Sequence, residues 1–174
     1  MKKNVFLIAV FAIAVLFSNE STAQKFRGLD KSPADIAMYS TKADGPVMRI
    51  IYSRPQLKGR TVESLTPAGK VWRMGANEST EVTFYKDVYF GGKSVKAGTY
   101  TMFAIPNASK WTIIINKGLH TWGSGRYKQS NDVVRVNAKV SKSSKPIEAF
   151  SIAYSKKGDV YLGWGNTIVS TSVK

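Results

Sequence analysis

Between Tyr52 and Glu81 the chain gathers residue types that recognise ligands: YSRPQLKGR, a short spacer, then WRMGANESTE. Arg54, Arg60 and Arg73 are three of the seven arginines, and Asn77 and Glu78 follow shortly after. A guanidinium is a planar fork of donors that matches a carboxylate or phosphate, whereas a lysine is a point charge. Two or three such forks and the Asn77 amide, gathered at one end of a scaffold, would bind an acidic or hydroxyl-rich ligand. The competing reading pairs the arginines with Glu63, Glu78, Glu81 or Glu148 and uses them to pin a long loop to a sheet.

Glu78 and Glu81 raise a second chemistry, glycoside hydrolysis. It needs two carboxyl groups about 5–5.5 Å apart in retaining enzymes and about 6.5–9.5 Å apart in inverting ones. Three positions apart on one strand, the pair would point to opposite faces, so only a turn through 75–79 brings them together. Glu148 shares the parity of Phe150, Ile152 and Tyr154 in IEAFSIAY. A carboxylate on a core-facing position needs a partner, and Arg54 or Arg73 is the expected one. His120, the only histidine, has no cysteine or second histidine with which to hold a transition metal. No residue nearby in sequence would orient it as a base, so it reads as a loop residue without a role. Trp111 and Trp164 lie at strand parity and read as core. Trp122, in a glycine-rich loop with Tyr127, is the candidate for an exposed platform on which a sugar ring stacks. The candidate ligand-binding set is therefore Arg54, Arg60, Arg73, Asn77, Glu78 and Trp122. No GxSxG, Walker or GxGxxG motif is present, no metal or cofactor is expected, and whether the chain is an enzyme stays open.

These residues need a scaffold, and the scaffold reads as all-β. Residues 35–53 give strand, turn and strand around Asp44-Gly45. Residues 54–70 form a long loop punctuated by Pro55, Gly59, Pro67 and Gly69, with one helical turn at 62–65. A short strand over 71–74 and a connection over 75–79 follow. Thr80–Tyr85 alternates, with Val82 and Phe84 on one face. Phe90-Gly91-Gly92-Lys93 is a hairpin turn. Residues 99–105 and 111–116 are two strong strands, expected to pair antiparallel. A loop over 117–131 carries His120 and Trp122. Strands then follow at 133–140, 147–154, 160–164 and 167–173, with Ser141–Lys145 a polar connection. About ten short strands without a helix of any length predict two packed antiparallel layers, a jelly-roll-like β-sandwich.

The N-terminus predicts export. Lys2 and Lys3 precede thirteen apolar residues, Val5 to Phe17, and Ser21-Thr22-Ala23 offers a small-residue cleavage site. The apolar run is short of the ~20 residues that a membrane-spanning helix needs. Residues 1–23 are read as a signal peptide and 24–174 as one domain, with no membrane span in the mature chain. The chain has no cysteine, which excludes disulfides and a thiolate nucleophile. Export without disulfides points to the periplasm or the exterior of a bacterium. A net charge of +15 attracts acidic small molecules and anionic glycans, whereas an exported protein does not meet nucleic acid.

The motifs YSRP, KGR, WRMGANE-T-E, KAGTYTMFAIP, W-IIIN and a WG–Y segment, in that order, resemble the exported bacterial family called domain of unknown function 2911. The likeness runs from about Leu29 to Val173. The family pattern commonly has threonine where this chain has Met74. The resemblance implies a β-rich exported domain and supplies no activity. Three functions remain as expectations: binding of an anionic or carbohydrate-like ligand through the arginine-rich patch, a glycosidase-like hydrolase using Glu78 and Glu81, or a structural partner in envelope assembly. Oligomeric state is not legible.

Overall fold

The computed structural model describes residues 24–174, and the expected signal peptide lies outside them. The elements are β1 (Ala34–Thr41), β2 (Gly45–Ser53), α1 (Val62–Leu65), β3 (Glu81–Phe84), β4 (Val88–Phe90), β5 (Lys93–Val95), β6 (Gly98–Ile105), β7 (Lys110–Asn116), β8 (Asp132–Tyr154) and β9 (Val160–Thr171). Seven of them form one antiparallel sheet in the order β1-β2-β3-β6-β7-β8-β9, and β4 and β5 make a separate hairpin. The all-β antiparallel reading stands. Its jelly-roll-like detail is refined, because the strands run as a meander and one sheet curls over to supply both layers.

Period-two alternation explains which side is filled. Met48, Ile50, Val82, Phe84, Met102, Ile113 and Ile115 are buried on the concave face, while Arg49, Thr83 and Thr99 sit on the convex one at paired registers. The curl closes through β8. Its first part pairs with β7; after register shifts between Lys142 and Ser151, its last part pairs with β9 and reaches back to the start of the sheet. There Tyr154 donates its hydroxyl to the Ala37 carbonyl at 3.1 Å, the Ile152 amide donates to the Tyr52 hydroxyl at 3.1 Å, and the Phe150 amide donates to the Pro55 carbonyl at 2.9 Å. Gln56 bridges to Ala149. An aromatic cluster fills the space beneath this seam: Trp72 stacks on Trp164 with centroids 5.5 Å apart and meets Trp111 and Phe150 edge-on. Trp111 and Trp164 are core, as their parity predicts.

Several expected boundaries differ. Residues 71–74 form only an isolated bridge, Trp72 to Ala104, rather than a strand. The strands expected at 133–140 and 147–154 are one strand of 23 residues. Pairing with β9 at Lys139–Lys142 carries the backbone into the polar segment, where side-chain pattern gives no sign of a strand. Residues 160–171 are likewise one strand. The 90–93 hairpin is as expected, with Gly91 and Gly92 at φ +56° and +82°, the values that a type I′ turn requires. Among the described residues no helix is long and apolar enough to cross a membrane.

Candidate functional site

Two loops on the convex face are built against each other. The first, 74–80, leaves the core at Met74, which is fully buried at φ +55°. It is closed by the Thr80 amide on the Arg73 carbonyl at 3.1 Å and the Thr80 hydroxyl on the Met74 carbonyl at 2.7 Å. Gly75 lets it lie against the end of β2, since an added Cβ would sit 3.0 Å from the Ser53 carbonyl oxygen. The second loop, 117–131, is fastened to β6 and β7. Thr101 donates to the Gly118 carbonyl, and Asn116 donates to the Lys128 carbonyl and to Asp132. The Tyr127 ring packs on Phe103 at 5.2 Å, and its hydroxyl donates to Asp132 at 2.8 Å. Burial first, and then the Asp132 carboxylate, push the Tyr127 phenol up to about 12.

The loops meet as a short antiparallel ladder. The Ser79 amide donates to the Thr121 carbonyl at 2.9 Å and the Gly123 amide to the Asn77 carbonyl at 3.1 Å, so Glu78 and Trp122 are bridge partners. The Ser79 hydroxyl donates to the Gly123 carbonyl and accepts from the Thr121 hydroxyl. Bridge partners project side by side from the same face. A carboxylate and an indole that is 67% exposed therefore stand next to each other.

Beside this ladder the surface opens into a cleft of about 330 Å³ between Ile51 and Ser53 of β2, Glu81 of β3, and Glu78, His120 and Thr121 of the loops. It shares Ala34, Ser53 and Glu78 with a wider, shallower region of about 890 Å³ that reaches Asn77, Trp122 and the N-terminal residues 25–32. Glu81 organises the narrow end. One of its oxygens accepts the His120 amide at 2.9 Å and lies 3.2 Å from His120 Nδ1. If Nδ1 carries the proton, Nε2 is left as an acceptor. At the wide end, Asn77 donates to Asp30 at 3.0 Å. The Ser32 amide and this Asn77 contact, in that order, hold the Asp30 carboxyl below the ordinary carboxylate range.

The six candidate residues divide into two groups. Asn77, Glu78 and Trp122 line the cleft. The arginines do not. Arg54 sits at the closing seam, where Nη1 pairs with Asp35 at 3.1 Å, Nε donates to the Phe150 carbonyl at 3.2 Å and Nη2 to Ser151 at 2.8 Å. Arg60 folds back on its own loop, donating to the Leu57 and Gln56 carbonyls at 2.9 and 3.0 Å. Arg73 is half-buried under Gly123 and, among the described residues, has no carboxylate within ion-pair distance; its Nε is buried without a partner. Burial pushes its guanidinium below the usual value.

The expectation for Glu148 is overturned. It is exposed, and its carboxylate accepts the backbone amide of Lys58 at 2.7 Å rather than an arginine. The register shift between Ile147 and Ser151 breaks the parity that placed it with Phe150. The partner of Arg54 is Asp35, which lies nineteen residues earlier in the chain and gives no motif by which to find it. His120 was read as a loop residue with no orienting partner; Glu81 is that partner. Ser79, Thr121 and Asp30 were also missed, since none of them stands in a pattern that the sequence marks. Among the described residues no three His, Asp or Glu side chains gather to hold a metal ion.

No curated protein and no solved structure matches the chain. The model of the family described as a protein of unknown function, DUF2911, matches residues 32–173, and the chain belongs to that family.

Proposed function

We propose that the protein is exported and binds a neutral, hydroxyl-rich ligand of carbohydrate type in the cleft beside the 77–80/121–123 ladder. The observation that carries this reading is the Glu78–Trp122 bridge. It sets an exposed aromatic face next to a carboxylate acceptor on the wall of a concavity. Sugar rings present apolar C–H faces to an indole and hydroxyls to carboxylates and amides, so the pair suits them. Of the two ligand classes that the sequence suggests, the neutral one is better supported. Glu78 and Glu81 line the narrow end, and the donors of Arg54 and Arg60 are taken by the protein itself. Export rests on the charged, apolar and small-residue pattern of residues 1–23.

The test is a binding screen by calorimetry with neutral and acidic oligosaccharides. A neutral ligand should bind, and Trp122→Ala should lose it while staying folded. Equal binding by Trp122→Ala would remove the cleft from consideration.

One observation favours a second reading, hydrolysis. Glu78 and Glu81 border the same cleft, and His120 is seated on Glu81. Glu78→Gln and Glu81→Gln should each abolish turnover of any glycoside that the wild-type protein cleaves. Full activity in both variants rejects the assignment.

A further inference from the structure

Residues 24–32 run without regular secondary structure, yet they form one side of the wide end of the cleft. Two contacts fix where they lie: the Pro33 carbonyl accepts the Arg54 amide at 3.0 Å, and the Asp30 carboxylate, which also takes the Ser32 amide within the arm, accepts the Asn77 side chain at 3.0 Å. The arm is thus tied down at its base and once over the cleft.

Its apolar residues are left unsatisfied. Phe26 is 90% exposed and Leu29 fully exposed, and both border the opening that Trp122 also borders. Single exposed apolar residues are ordinary on a protein surface. Three large ones around one concavity, two of them on a segment held over it by a carboxylate–amide contact, mark a binding surface instead. Lys25, Arg27 and Lys31 of the arm border the same opening as Glu78.

We infer that residues 24–32 are a strap that supplies the second wall of the site, with Phe26 and Leu29 folding toward Trp122 over a bound sugar ring. This rests on the cleft reading above and sharpens its ligand class. The ligand presents apolar C–H groups on both faces of a ring, as a pyranose does, and is held between Trp122 and the arm. The Asp30–Asn77 contact is the hinge point that keeps the arm in reach, so loss of either side chain loosens the wall without touching the Trp122 face.

Titrations of the full mature chain with cellotetraose, chitotetraose and xylotetraose test the strap. At least one should bind the wild-type protein. The double variant Phe26→Ala/Leu29→Ala should weaken that ligand about tenfold, Asp30→Ala should weaken it by a smaller factor, and Trp122→Ala should abolish binding. If the arm variants bind as wild type and Trp122→Ala does not, the strap is wrong and the cleft stands. If the arm variants bind more tightly, the arm obstructs the site and the inference is likewise overturned. If Trp122→Ala binds normally, or no tetrasaccharide binds, the cleft reading fails and the strap fails with it.

Discussion

The closing seam and the cleft use similar residues in opposite ways. At the seam, Arg54, Asp35, Tyr52 and Ser151 point at one another and at backbone groups of β8: Asp35 takes the Tyr52 and Arg54 donors at the start of the sheet, and Arg54 and Tyr52 bond on to Phe150, Ser151 and Ile152 at its end. At the cleft, the backbone groups of the two loops satisfy each other, and that leaves Glu78 and Trp122 with their side chains outward. The difference shows that a cluster of chemically attractive residues is not in itself a site. What counts is whether their donors and acceptors are already occupied by the fold. Buried or half-buried polar groups have to be paired, and in a sheet that curls to meet its own first strands, the seam is where that demand is greatest.

Substitutions can break or sharpen this contrast. The largest effect belongs under the seam. Trp72→Ala removes the ring that packs against Trp111, Phe150 and Trp164, and should cost about 3–5 kcal/mol of stability in chemical denaturation. Arg54→Ala breaks two contacts across the seam and the ion pair with Asp35, and should cost about 2 kcal/mol. Arg54→Lys should recover little of it, because an ammonium cannot replace the fork. Trp122→Ala should change stability by no more than about 0.5 kcal/mol while removing ligand binding. An Arg54→Ala protein as stable as the wild type, or a Trp122→Ala protein that unfolds, would erase the distinction.

A pH titration probes the loop that carries Trp122. The fold holds Tyr127 as the neutral phenol, with its pKa raised from 10 to about 12. Its contribution to stability is therefore complete below about pH 10 and is lost as pH rises through about 12. The difference between the absorbance titrations of wild type and Tyr127→Phe should show one phenol ionising near that upper value. A difference centred near 10 would mean that the phenol is neither buried against Phe103 nor held by Asp132. The smallest effect is expected at Glu148→Gln, within about 0.5 kcal/mol of wild type, since Glu148 is exposed and a glutamine oxygen can still accept the Lys58 amide.

The alternating strands were readable because period two survives in one dimension: Val82 and Phe84, or Ile113 and Ile115, announce their face without any knowledge of the partner strand. The turns at Gly45 and Gly91–Gly92 were readable for a similar reason, since the backbone conformation they adopt is a local demand on residue type. What could not be read depended on closure. Pairing with β9 carries β8 into Ser141 and Lys142, and the irregular register that follows turned Glu148 outward; neither leaves a trace in composition. The same holds for the site. Asn77, Glu78 and Trp122 were legible as an amide, an acid and an aromatic on loops, and the fold brings them to one opening. The roles of Arg54 and His120 were not, because Asp35 and Glu81 reach them across the sheet rather than along the chain.

The account turns on which side chains remain available to a ligand, and nuclear magnetic resonance reads that directly. The Trp122 indole N–H and the Arg54 Nε–H signals of one ¹⁵N-labelled sample are followed while a neutral oligosaccharide is added. The account predicts that the Trp122 signal shifts saturably and the Arg54 signal stays in place. Movement of Arg54 Nε with Trp122 unperturbed would contradict it and return recognition to the arginines.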